Sequence, residues 1–169
     1  MSETVFLSLG SNIGDREKNM MNAARMLSYM EGFELVGHSP IYLSRAVDMD
    51  EDAPGFLNMV IKGEFSYRPT ELLNNIETIE NKLGRTGKGE YKPRTIDIDI
   101  LLFGDEIIET DRLSIPHRRL TERPFILMPL LQIEPDIIHP VTKEKMERYL
   151  DSRDAEDIIL YKEFDRINV

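Results

Sequence analysis

The sequence predicts an α+β fold, and three observations carry that prediction. Short apolar runs bounded by turn residues read as strands, two stretches with apolar residues at helical spacing read as helices, and their order is β-α-β-β-α-β. That order is the split βαβ pattern of a ferredoxin-like βαββαβ sandwich, an antiparallel sheet with both helices on one face. With 169 residues, 41% of them hydrophobic and 31% charged, the chain reads as a single soluble globular domain over residues 1–169, long enough to bury a core.

Val5-Phe6-Leu7-Ser8-Leu9 is the first strand, closed by Gly10-Ser11-Asn12-Ile13-Gly14, which reads as a structural turn, with Asp15 placed to cap a helix. Met20, Met21, Ala24, Leu27 and Met30 recur at helical spacing and so read as core, and Gly32 stops the helix. Phe33 to Ser44 reads as one strand and Phe56 to Phe65 as another, with an irregular polar stretch from Arg45 to Gly55 between them. Pro69 opens the second helix, Leu72, Leu73, Ile76, Ile79 and Leu83 form its apolar stripe, and Gly84 closes it. Thr95 to Phe103 is the sixth element. Arg123 to Gln132, disturbed by Pro129, and Thr142 to Leu150 read as C-terminal helical additions. The apolar Ile158, Ile159, Leu160 and Phe164 predict a packed, ordered tail.

The sixth element carries the chemistry. Alternation along Thr95-Ile96-Asp97-Ile98-Asp99-Ile100 puts Thr95, Asp97 and Asp99 on one face and the isoleucines on the other. Two acids about 6.6 Å apart, twice the rise of roughly 3.3 Å per residue, repel unless solvated or bridged by a cation. That spacing suits a pair of hard divalent ions bridged by carboxylates, as used to clamp phosphoryl oxygens during displacement. Arg85, Lys88, Lys92 and Arg94 crowd the segment before the aspartates, and Arg112, Arg118, Arg119 and Arg123 the segment after. In a chain of net charge −10, two basic islands point to a small, dense anion such as a nucleoside triphosphate, and away from a polynucleotide.

Other chemistries find little support. There is no cysteine, hence no disulfide framework and no thiol chemistry. No apolar run approaches the roughly 18 residues of a membrane span, and Met1-Ser2-Glu3-Thr4 does not open a signal peptide, so a cytoplasmic protein without a membrane partner is expected. Gly10 to Gly14 lacks the Gly-Lys-Ser/Thr of a P-loop and the third glycine of a dinucleotide fingerprint. His38, His117 and His139 are too far apart in sequence for a close zinc-ligand pair, and no Gly-x-Ser-x-Gly elbow is present.

Several of these pieces, taken in order, resemble one family. Ser8-Leu9-Gly10-Ser11-Asn12, Pro54-Gly55-Phe56-Leu57-Asn58, Gly84-Arg85, Pro93-Arg94-Thr95-Ile96-Asp97-Ile98-Asp99, and Ile115-Pro116-His117 with Arg123-Pro124-Phe125 are similar to the 6-hydroxymethyl-7,8-dihydropterin pyrophosphokinases. The resemblance implies transfer of diphosphate from ATP to the hydroxymethyl oxygen of the reduced pterin, in folate biosynthesis, with release of AMP. It implies that Asp97 and Asp99 hold two magnesium ions and that Arg85 and Arg94 grip the triphosphate and act in catalysis. Glu80, Lys88, Tyr91, Ile100, His117, Arg118 and Arg123 fall at or near positions that meet ATP. Phe56 and Phe125 match the rings that sandwich the pterin, Asn58 the amide that reads its edge, and Ser44 a hydroxyl beside it. The chain departs from the pattern at Tyr91, where tryptophan is frequent, at Ser44-Arg45-Ala46, which lacks a proline, and at Arg118. The family is commonly monomeric. A non-catalytic ferredoxin-like module that binds nucleotide or a divalent ion, and a two-metal nuclease, are the competing readings.

Overall fold

The computed structural model describes residues 1–44, 55–84 and 95–167. Strand β1 (Glu3–Ser11) leads into helix α1 (Arg16–Ser28), strands β2 (Phe33–His38), β3 (Ile41–Ser44) and β4 (Phe56–Phe65), helix α2 (Pro69–Lys82) and strand β5 (Asp97–Phe103). A short ribbon, β6 (Ile108–Glu109) with β7 (Ser114–Ile115), helix α3 (Pro124–Ile133) and strand β8 (Ile158–Lys162) follow, with 3-10 turns at Leu120–Glu122, Met146–Tyr149 and Asp154–Asp157. The main sheet runs β5-β1-β4-β3-β8 with β2 also on β4, and its pairings are antiparallel. Counting β2 and β3 as the single strand expected from the sequence, the order is fourth, first, third, second, the ferredoxin-like arrangement.

Local chemistry sets the helix ends. The Asp15 carboxylate accepts from the Lys18 N–H at 3.1 Å and so caps α1, and Pro69 sits in the first turn of α2, where a missing N–H costs nothing. Met20, Ala24 and Leu27 of α1 and Leu72, Ile76 and Ile79 of α2 bury against Val5, Leu7 and Leu9 of β1 and Leu57, Met59 and Ile61 of β4. The other face is not left bare. There Phe6, Val60, Leu101 and Leu102 pack with Ile126, Leu127 and Leu130 of α3 and with Met146. Alternation along the strands thus feeds two apolar layers, each fully buried aliphatic side chain contributing about 1.5–3 kcal/mol.

Four local expectations are corrected. The predicted strand Phe33 to Ser44 is two strands, because Pro40 has no N–H to continue the ladder. Ser39 spans the break: its N–H donates to the Val60 carbonyl at 2.8 Å and its hydroxyl accepts from the Val60 N–H at 2.9 Å. Gly10 and Ser11 are not turn residues but the end of β1, Gly10 paired with both β4 and β5 and Ser11 with β4. Thr142 to Leu150 is no α-helix. His139 Nδ1 accepts the N–H groups of Val141 and Thr142, Lys143 takes the left-handed region at φ 61°, and only a 3-10 turn over Met146–Tyr149 follows. The tail pairs as strand β8 on the edge of β3, with Phe164 stacked on His38 at 4.3 Å between ring centroids. The expected packing of its apolar residues does not hold: Ile159 and Leu160 are 60% and 50% exposed, because side chains on an edge strand are less covered by neighbours than those inside the sheet. Among the described residues no helix is long and apolar enough to cross a membrane.

Candidate active site

Cross-strand register assembles the site on the α3 side of the sheet. Asp97 of β5 lies opposite Gly10 of β1, Gly10 opposite Asn58 of β4, and Asn58 opposite Tyr42 of β3. One step along, Asp99 lies opposite Ser8, and Ser8 opposite Val60. Residues directly opposite one another in antiparallel strands share a face, so both aspartates, both small β1 residues and the amide all project to the same side. Asp97 and Asp99 are half-buried. Asn58 is only 8% exposed, and its Nδ2 donates to the Ser44 hydroxyl at 3.1 Å. A buried amide needs such partners. Ser44 in turn pairs with Phe56, which gathers the hydroxyl, the ring and the amide into one cluster.

Phe125 stands in the first turn of α3, half-buried at the margin of the second apolar layer, and the Arg123 guanidinium lies 5.8 Å from its ring centroid. Tyr42, beside Asn58, has its hydroxyl pushed above the ordinary tyrosine range by burial and, second, by the nearby Glu163 carboxylate.

Among the described residues β5 ends the sheet, and one of its edges carries no strand partner. Along that edge opens a cavity of about 310 Å³ lined by Ile98, Asp99, Ile100, Leu113, Ser114 and His117, with Arg112, Arg118 and Arg119 at its rim. His117 is fixed there by its N–H on the Leu101 carbonyl at 3.0 Å, while its Nδ1 accepts from the Arg119 N–H at 3.1 Å. Surface carboxylates hold two of the rim arginines: Arg118 meets Glu109 at 2.5 Å, and Arg112 meets Glu77 at 2.5 Å. Glu80 lies behind the strand, 2% exposed, and its carboxylate accepts the Ile98 N–H at 3.0 Å, so it supports β5 between the two aspartates. A larger cavity of about 420 Å³ beside His38, Pro40 and Phe164 contains none of the residues expected at the site.

The structure therefore brings together Ser44, Phe56 and Asn58 in one cluster, and Asp97 with Asp99 on one strand face. Asp99, Ile100, His117 and Arg118 surround the edge cavity, and Arg123 and Phe125 open α3. Arg85, Lys88, Tyr91 and Arg94 lie outside the described residues. Sequence reading missed Ser8, Leu113 and Ser114, and took Gly10 for a turn. The clue to Ser8 and Gly10 was their shared parity with Phe6 on a strand that neighbours the aspartates.

The donor chemistry fits magnesium of a particular kind. Two carboxylates on one face offer hard oxygen ligands, and among the described residues no group of three or more His, Cys, Asp or Glu side chains could complete a cage. Magnesium keeps several waters and is commonly held by one or two carboxylates together with substrate phosphates, so this pair suits an ion that arrives with a nucleotide.

In overall shape the chain is similar to the α+β domains in solved structures of Plasmodium falciparum HPPK-DHPS, such as the wild type with STZ-DHP, at a TM-score of 0.69 and 15% identity, covering 94% of this chain and 45% of that one. Sequence then gives the family: residues 6–135 match the model of 7,8-dihydro-6-hydroxymethylpterin-pyrophosphokinase (HPPK), and the chain belongs to this family. It is 42% identical to the 2-amino-4-hydroxy-6-hydroxymethyldihydropteridine pyrophosphokinase of Aquifex aeolicus over 86% of this chain and 89% of that protein. It is 43% identical to the Bacillus subtilis protein of the same name over 79% of each. It is 39% identical to the folic acid synthesis protein fol1 of Schizosaccharomyces pombe over 97% of this chain, which spans only 22% of that longer protein.

Proposed function

We propose that this chain carries out the reaction for which its family is named, moving the terminal diphosphate of ATP to the hydroxymethyl group of 6-hydroxymethyl-7,8-dihydropterin and releasing AMP. The observation that carries this reading is the row Asp97, Gly10, Asn58. Two strand spacings of roughly 4.8 Å put the acid and the amide about 10 Å apart on one face. That is the span a pterin needs to be read at its ring edge while its hydroxymethyl arm reaches a phosphate.

In this reading Asn58 meets the pterin edge with a donor and an acceptor, oriented by Ser44. Phe56 and Phe125 stack on its faces, the second from the start of α3. The nucleotide base lies in the cavity along β5, against Ile100, with His117 and Arg118 toward its phosphates, and Arg123 meets them from the start of α3. Asp97 and Asp99 hold two magnesium ions, which, when bound, neutralise phosphate charge. Arg85 and Arg94 grip the triphosphate, and Lys88 and Tyr91 meet the nucleotide; resemblance to the family supports these four assignments. Glu80 acts on the nucleotide through the strand it supports. The hydroxymethyl oxygen attacks the β-phosphorus and gives up its proton to solvent, the bond from that phosphorus to the α-phosphate oxygen breaks, and AMP leaves. Resemblance also supports a monomer, and the net charge of −10 supports a partner other than nucleic acid.

The test is a product assay. With magnesium, ATP and 6-hydroxymethyl-7,8-dihydropterin, AMP and the pterin diphosphate should form one for one. ADP or inorganic phosphate in place of AMP, or AMP release that ignores the pterin, would overturn the reading.

A further inference from the structure

Gly10 ends an otherwise apolar run, yet it has no conformational reason to be glycine. Gly14, Gly32, Gly55, Gly84 and Gly104 adopt positive φ; Gly10 does not, and it is paired to Asn58 on one side and to Asp97 on the other. A glycine inside a strand costs about 0.5–1 kcal/mol relative to alanine. Where it persists it often marks the close approach of another group. Here that group is visible: a Cβ at position 10 would stand 2.9 Å from Asn58 Oδ1, closer than such atoms pack. The amide thus bridges outward in both directions, Nδ2 to Ser44 on β3 and Oδ1 over the bare backbone of β1.

We infer that Gly10 is a positioning and specificity residue for the pterin. Its missing side chain lets the Asn58 amide lie over β1 and leaves one step of sheet without a side chain between that amide and Asp97, across which the hydroxymethyl arm passes. The inference rests on the proposed role of Asn58. A methyl at position 10 displaces the amide oxygen and disturbs its alignment with Ser44. A branched side chain also fills the step itself.

The experiment is a two-substrate kinetic comparison of Gly10→Ala, Gly10→Val, Asn58→Ala and the double variant Gly10→Ala/Asn58→Ala in the full chain. Gly10→Ala should raise the pterin KM about tenfold, and Gly10→Val further, because a site built around a hydrogen bond loses more than packing when that bond is misaligned. The ATP KM should stay within about twofold, and in the Asn58→Ala background Gly10→Ala should add less than about twofold, the displaced amide being already gone. An unchanged pterin KM in Gly10→Ala, equal rises in both KM values, or full additivity in the double variant would overturn the inference. So would a fall of more than about 10 °C in the thermal midpoint of Gly10→Ala, several kcal/mol for a chain of this size, since the space over Gly10 would then be packed structure. If Asn58→Ala itself left the pterin KM unchanged, the proposed pterin site would fail. Failure of Gly10→Ala alone would leave that site standing.

Discussion

The face of the sheet that carries the site is two different materials along the same strands. At one end Phe6, Val60 and Leu102 lie under α3 and are almost wholly buried. Two to four residues further, at the same parity, stand Ser8 and Gly10 of β1 and Asn58 of β4. On β5 the change falls at a register shift opposite Phe6 and Leu7, beyond which Asp99 and Asp97 join the polar end. An irregularity of this kind re-aims side chains and often sits beside active sites. The contrast is one of polarity, since Ser8 and Asn58 are themselves only 8% exposed: the dry end supplies apolar packing and the polar end supplies hydrogen-bonding and charged groups. Substitutions at the two ends should therefore move different observables.

The largest effect is expected at the polar end. Asp97→Ala or Asp99→Ala should lower the rate of AMP formation by about 1,000-fold or more, since metal-held charge supplies several kcal/mol to phosphoryl transfer. Because both acids are only half-buried, calorimetric unfolding should show little change. The reverse pattern is expected at the dry end. Leu127 is fully buried, and Leu127→Ala should cost about 2–5 kcal/mol in denaturant unfolding while the pterin KM of the folded enzyme holds.

Phe125 sits at the border between the two and should mix their behaviour. Phe125→Ala should raise the pterin KM about tenfold with a smaller loss of stability, since stacking and apolar area are lost together. A variant that lost only stability would remove the ring from the pterin site.

The smallest effect belongs to the cover of the dry end. His139 is 8% exposed, accepts two backbone N–H groups at Nδ1, and burial holds its imidazole below the ordinary histidine range. The unfolded chain therefore takes up the proton first on acidification. Stability is intact above the ordinary value of 6.5 and falls as pH drops from there to the depressed folded value. Urea midpoints at a series of pH values should show this slope in the wild type and a flatter one in His139→Gln, whose amide oxygen accepts without titrating. Equal slopes would remove His139 as its source.

Much of this was legible in the letters, for physical reasons that also explain the rest. Period-two and helical patterning gave the six elements and their order, because strands and helices that face a core must repeat their apolar residues. The paired aspartates stood out because acids are rare on a buried strand. What escaped was whatever depends on register between distant segments. That Gly10 lies between Asp97 and Asn58 is a property of three strands, and no local window contains it. Pro40 did mark the break after His38, but the apolar residues on both sides masked it. The β8 pairing was hidden because a short tail with Ile158, Ile159 and Leu160 fits several packed forms. Glu80 was placed by resemblance near the nucleotide, whereas its hydrogen bond to Ile98 depends on helix-to-strand packing that the letters do not carry.

The most direct test of the whole account is a crystal grown with magnesium, a nonhydrolysable ATP analogue and 6-hydroxymethylpterin. The account predicts metal density against the carboxylate oxygens of Asp97 and Asp99, and the pterin edge on Asn58 with its arm crossing above Gly10. A nucleotide bound elsewhere, with those oxygens bare and the amide untouched, would contradict it.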